Sequence, residues 1–128
     1  MKIVVVIARS LLGLMFLVFG LNMFLNFIPA PPPPPGVAGE FSHLLLTTHY
    51  MYAVGAVMGV SGILLLFNRY VPLGLTLLGP VLVNILLFHI LMMPSTIWMG
   101  LFATVLWLLV AYRVRAEFAP LFRPRTDS

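Results

Sequence analysis

From Pro72 to Met93 the chain reads PLGLTLLGPVLVNILLFHILMM, an apolar run about as long as a bilayer core is thick. Inside that length lie a proline (Pro80), an asparagine (Asn84) and a histidine (His89). Hydrocarbon offers such groups no hydrogen-bonding partner, so a segment of this kind has to pack against other protein. Further apolar segments are therefore required, and the rest of the chain supplies them.

Composition agrees. Of 128 residues, 62% are hydrophobic and 8% are charged. Soluble domains average about 45–50% apolar and about 25% charged. A soluble domain this short could not hide so much apolar surface, whereas lipid replaces the missing interior. Seven Lys and Arg stand against three Asp and Glu. They fall at the ends of apolar runs and form no patch with interleaved aromatics, which argues against nucleic acid as a partner. There is no cysteine, so this chain alone carries no disulfide, iron–sulfur ligand or thiol redox chemistry.

The pattern predicts an all-α integral membrane protein: a four-helix bundle of antiparallel up-down topology, forming a single membrane domain over 1–128. Spans are expected at about 3–28, 49–67, 73–92 and 96–112. The first apolar run is too long for the core of a signal peptide, and Ala30-Pro31 is a poor cleavage context, so a retained span is expected there. Arg9 lies about 9 Å along it, a depth from which an arginine can reach back to the near interface. Residues 29–36 (PAPPPPPG) predict a polyproline II spacer in water, because this rod has no internal hydrogen bonds. Gly39 to Tyr50, which holds Glu40, His43 and His49, predicts an interfacial helix that leads into the second span. Gly55, Gly59 and Gly62 mark a helix-packing face. Asn68–Pro72 is a tight turn that pairs the second and third spans. Trp98 and Trp107 are expected as lipid-facing or interfacial aromatics. The tail, 113–128, carries Pro120 and Pro124 and predicts helix only at its start.

With four spans, Lys2, Arg9, Arg69, Arg113, Arg115, Arg123 and Arg125 all fall on one side. Basic residues mark the cytoplasmic face, so both termini are expected inside a cell inner (cytoplasmic) membrane. Counting depth from the loops places Asn22, Asn26, His49, Asn84 and His89, with Glu40 and His43, in the outer half of the bilayer. The inner half is nearly all apolar.

Pro80 removes an amide donor, frees the Thr76 carbonyl and kinks the third span. Thr76, Pro80 and Asn84 form one stripe. His89, five residues beyond Asn84, lies about 140° around the helix from it. Three readings of the polar group stay open. One is a metal site, for which the histidine spacings are poor. Another is a lipophilic ligand such as a quinone, held by Asn22, Asn26, His49, Asn84 and His89. The third is simple hydrogen-bonded bridging between helices. No Ser-His-Asp set, phosphate loop or paired carboxylate points to a hydrolase or kinase.

ARSLLGLMFLVFGLN at Ala8–Asn22, LLLFNRYVPLGLTLLGPVLVNILLFH at Leu64–His89 and WxxxxAYR at Trp107–Arg113 resemble the DoxX family. That resemblance implies a four-helix membrane bundle. It also implies a link to oxidoreductase systems: DoxD is a subunit of a thiosulfate:quinone oxidoreductase, and other members associate with thiol or superoxide-stress enzymes. The partners implied are the lipid bilayer, a quinone and a membrane or soluble oxidoreductase. A homo-oligomer is compatible with the glycine face. The alternative is a scaffold without activity of its own. Where many relatives carry Glu or Gln in the second span, this chain has Met58.

Overall fold

The structure, a computed structural model, describes residues 2–28, 32 and 34–126. Half of the expected polyproline spacer, residues 29–31 and 33, lies outside the described residues. Among the described residues all regular structure is helical. The α-helices are α1 (Lys2–Leu25), α2 (Val37–Thr47), α3 (Tyr50–Leu66), α4 (Val71–Met92), α5 (Trp98–Arg113) and α6 (Arg115–Phe118), with 3₁₀ turns at Pro94–Thr96 and Ala119–Phe122.

Each boundary has a local cause. α1 stops before Ile28 because Asn26 adopts the left-handed conformation, φ 51°, which asparagine tolerates better than most residues. Asn22 closes that end: its carbonyl accepts the Asn26 N–H at 2.9 Å, and its side-chain Oδ1 accepts the Ile28 N–H at 2.8 Å. α3 ends in a Schellman motif. Asn68 is left-handed at φ 55°, and the Arg69 N–H reaches back to the Leu64 carbonyl at 2.9 Å. Arg9 completes the same helix end from outside. Its guanidinium donates to the carbonyls of Leu65 and Leu66, the latter at 3.2 Å. A cation at a helix C-terminus meets both the unpaired carbonyls and the negative end of the dipole.

Two helices are bent sharply. α2 meets α3 at 84°, through left-handed His49, and α5 meets the α6 segment at 82°. Such an angle is what an element lying along a membrane surface makes with one crossing it. α1 and α4 are each long and apolar enough to cross a membrane alone, and the number of candidate spans rises to four if each bent pair is one span.

The tightest packing joins α1 to α3. A Cβ at Gly13 would come within 2.6 Å of the Leu66 nitrogen, and one at Gly20 within 2.6 Å of the Gly59 nitrogen. One at Gly62 would come within 2.5 Å of the Leu17 nitrogen. These contacts run Gly13 to Gly62 and Gly20 to Gly55, so the two helices are antiparallel and touch backbone to backbone. Only glycine allows that approach. α4 leans on α3 at Gly74, and α5 leans on α4 where Gly100 meets Ile85 and Leu86. α1 and α5 are also in contact. Leu12, Leu65, Leu75, Leu78 and Val110 are fully buried where these helices converge, with Phe16 and Met58 beside them. Outside that core, large apolar side chains are open on every long helix, including Ile3, Val60, Leu91 and Leu108. A soluble monomer does not expose apolar surface on this scale, and a lipid surround covers it.

The glycines are not equivalent. Gly62→Ala drives a methyl into the α1 backbone and is expected to cost about 1–3 kcal/mol. A Cβ at Gly59 meets nothing within 4 Å, so Gly59→Ala is expected to be close to neutral. Thermal unfolding of the two variants in detergent micelles checks the contrast.

Candidate functional site

The middle of α4 is where the backbone ladder is broken. Pro80 has no N–H to give the Thr76 carbonyl, and its ring spreads the preceding turn. Two side chains act on that stretch. The Trp107 indole N–H of α5 donates across to the Leu75 carbonyl at 3.0 Å. Gly79 leaves room for the ring, since a Cβ there would lie 3.7 Å from Trp107 Cζ2. From the other side, the Asn84 amide donates back to the Pro80 carbonyl of its own helix at 3.0 Å. Trp107 is thus half-buried and bonded between helices, not simply a lipid-facing aromatic. The bond falls one residue before the carbonyl that Pro80 frees, so it braces the broken turn from α5 and does not replace the lost donor.

Thr76, Pro80 and Asn84 do form one stripe, and all three are exposed. The core side of the same helix is filled by Leu75, Leu78 and Leu82. Thr76 Oγ1 donates to the Pro72 carbonyl at 2.8 Å. The stripe therefore faces away from the packed interior, satisfied in part by its own backbone.

His89 lies elsewhere on α4, half-buried. Its Nδ1 is 2.7 Å from the Ile85 carbonyl. A carbonyl only accepts, so Nδ1 carries the proton and Nε2 is left facing out of that bond. The ring meets Phe88 edge-on at 5.2 Å, and Phe88 meets Phe41 of α2 at 5.5 Å. This aromatic seam joins α2 to the C-terminal end of α4.

The remaining polar residues also have local partners. His49, exposed at the α2–α3 elbow, stacks on Tyr52 at 5.5 Å, and Tyr52 stacks on Phe24 of α1 at 5.2 Å. His43 Nε2 lies 3.3 Å from Thr47 Oγ1. Asn22 and Asn26 close α1 as described. Among the described residues no hydrogen bond joins any two of Asn22, Asn26, His49, Asn84 and His89. No three His, Cys, Asp or Glu residues among them come together as metal ligands. Among the described residues no buried side-chain nitrogen or oxygen lacks a partner. Met58 is 5% exposed within the apolar core, so α3 presents a thioether at that point and no ionisable group.

Sequence reasoning missed three contributors. Gly13 and Gly20 are seven residues apart, as are Gly55 and Gly62, and this matched spacing was the available signal for the α1–α3 contact. The capping role of Arg9 had no sequence signal beyond its depth. The bond from Trp107 to the Leu75 carbonyl had no sequence signal.

Compared with protein-family models, with curated proteins and with solved structures, the chain matches none.

The two bonds at the break in α4 should behave differently when removed. Trp107→Phe keeps the ring but deletes the indole N–H and is expected to lower stability by about 1–2 kcal/mol. Asn84→Leu removes a polar group from an exposed surface and is expected to leave the isolated protein within about 0.5 kcal/mol of wild type. Denaturation of both variants in mixed micelles, followed by helical circular dichroism, tests this.

Proposed function

We propose that this chain is a multi-pass protein of the cell inner (cytoplasmic) membrane, a four-helix bundle with antiparallel up-down topology and both termini in the cytoplasm. On this reading it is a DoxX-type accessory or quinone-interacting subunit of a membrane oxidoreductase. The cation distribution supports the orientation. Lys2 lines one cavity with Arg113 and Arg115, and Arg9 caps the helix end that precedes Arg69. These charges gather at one end of the helices, the end a basic bias assigns to the cytoplasm.

The observation that carries the accessory role is the exposed stripe Thr76–Pro80–Asn84 on α4. Asn84 uses its amide on the Pro80 carbonyl, and its Oδ1 is left on the outer surface of a membrane-length helix. A polar oxygen facing lipid is costly, and a partner helix with a donor removes that cost. Flanking Val83 and Leu87 are also exposed and give such a helix an apolar seat. The burial of Met58, where the DoxX resemblance leads one to expect Glu or Gln, fits a subunit whose chemistry resides in its partner.

A second reading has its own observation. His89 holds Nδ1–H on the Ile85 carbonyl, which leaves Nε2 as an acceptor beside the Phe88–Phe41 aromatic seam. A quinol hydroxyl could donate there while its ring lies against the aromatics.

The two readings separate experimentally. Purified in mild detergent from its native membrane, the wild-type chain is expected to bring an oxidoreductase subunit with it. Asn84→Leu, with unchanged melting, should reduce that recovery at least about tenfold, equivalent to one interhelical contact of about 1.4 kcal/mol. Recovery of the same partner by Asn84→Leu, or of no partner by wild type, would remove the accessory reading. The quinone reading requires that added menaquinone or ubiquinone raise the melting temperature of wild type and not of His89→Ala. It is lost if neither protein shifts.

A further inference from the structure

The inner end of α5 carries two adjoining cavities of opposite character. One, of about 390 Å³, is lined by Lys2, Val5, Tyr112, Arg113 and Arg115. It presents three cations and no acid. The other is an open concavity of about 1000 Å³ in the 82° elbow between α5 and the α6 segment. Its lining is almost wholly apolar and includes Val105, Leu108, Phe118, Leu121 and Phe122. Tyr112 and Arg115 belong to both, as a common wall.

That wall is fixed in place. The Arg115 guanidinium lies 4.1 Å from the centre of the Tyr112 ring, and its Nη1 donates to the Tyr112 carbonyl at 2.7 Å. Cation–π contact and hydrogen bond together hold a positive charge at the rim between the two spaces. The side chains of Lys2 and Arg113 have no hydrogen bond or ion pair among the described residues. Glu117, the acid of α6, lines neither cavity. Leu121 and Phe122 are 72% and 83% exposed, although they roof a groove of their own chemistry.

We propose that this elbow is a binding site for one anionic phospholipid of the inner leaflet. The phosphate rests among Lys2, Arg113 and Arg115, and an acyl chain fills the groove beneath Leu121 and Phe122. The proposal rests on the membrane placement given above, and not on the accessory role or on quinone. An amphiphile is selected because the cationic and apolar spaces share a wall, so one molecule must satisfy both. A peptide is disfavoured, since its backbone amides would enter an apolar lining without partners. A zwitterionic lipid is disfavoured because its own ammonium would meet three cations. The occupant also lies where anionic lipid is concentrated, the cytoplasmic leaflet that basic residues face.

The test is native mass spectrometry of the full chain in detergent, titrated with phosphatidylglycerol or phosphatidylcholine of matched acyl chains. One phosphatidylglycerol should be retained about tenfold more tightly than phosphatidylcholine. Lys2→Gln with Arg113→Gln should weaken it about thirtyfold, two surface charges at roughly fivefold each. Leu121→Ser with Phe122→Ser should weaken it as well. Arg123→Gln with Arg125→Gln, outside both cavities, should change retention less than about threefold. Inorganic phosphate in large excess should not displace the lipid. Lys2→Arg with Arg113→Lys should retain binding, which guards against a folding defect in the glutamine pair. Equal retention of the two lipids overturns the proposal. So does equal loss from the two arginine-containing glutamine pairs, which would mean diffuse attraction to the surface. Displacement by inorganic phosphate overturns it too, because that site would be for a free anion.

Discussion

A carbonyl left without a donor inside hydrocarbon has no water to turn to, and much of this molecule answers that constraint. Its few hydrogen-bonding side chains serve backbone. Asn22 closes α1, Arg9 closes α3, and Trp107 and Asn84 attend the broken turn around Pro80. Ser61, Thr76 and Thr104 return their hydroxyls to carbonyls one turn back. With polar groups committed in this way, cohesion between helices falls to shape. Glycine-to-backbone contact between α1 and α3 supplies the closest fit, and leucines fill the centre.

This division of labour bears on function. A catalytic site in a membrane bundle usually shows itself as polar residues from several helices converging on a cavity. Here the polar residues diverge. Asn84 looks outward, His89 turns to a seam with α2, and His49 lies at an elbow among rings. Met58 fills the interior with a soft apolar side chain. The surfaces left with unmet chemical demand are peripheral: the α4 stripe and the cationic elbow below α5.

The helical class and the apolar segments were legible in the sequence because hydrophobic runs of bilayer length have few other uses. The bend before α3 was also legible, since Glu40, His43 and His49 break the apolar pattern where the chain turns. Boundaries were less so. α1 ends at Leu25 because Asn26 turns left-handed, a conformational choice that composition does not dictate. The polar group illustrates the deeper limit. Depth along the chain brought Asn22, His49, Asn84 and His89 to a similar level, but level is one coordinate. Which way each faces depends on how α1 and α4 are rotated, and the rotation is set by where glycines allow contact. Asn84 and His89, five residues apart on one helix, end in different surroundings, the first exposed and the second half-buried.

The uneven lengths of the helices have a consequence for the lipid around them. α1 and α4 have 24 and 22 residues, whereas α3 and α5 have 17 and 16. At about 1.5 Å per residue, that is about 36 and 33 Å against 26 and 24 Å. The two short helices are also the ones that end in near right-angle elbows. Because α1 and α4 each pack against both α3 and α5, tall and short helices alternate around the apolar rim, which is therefore not a belt of constant height. Lipid beside a short helix must thin to match it, and lipid beside a long one must stretch, or the helices must tilt. With the long helices set diagonally, the mismatch is met on every side of the molecule and not along one edge.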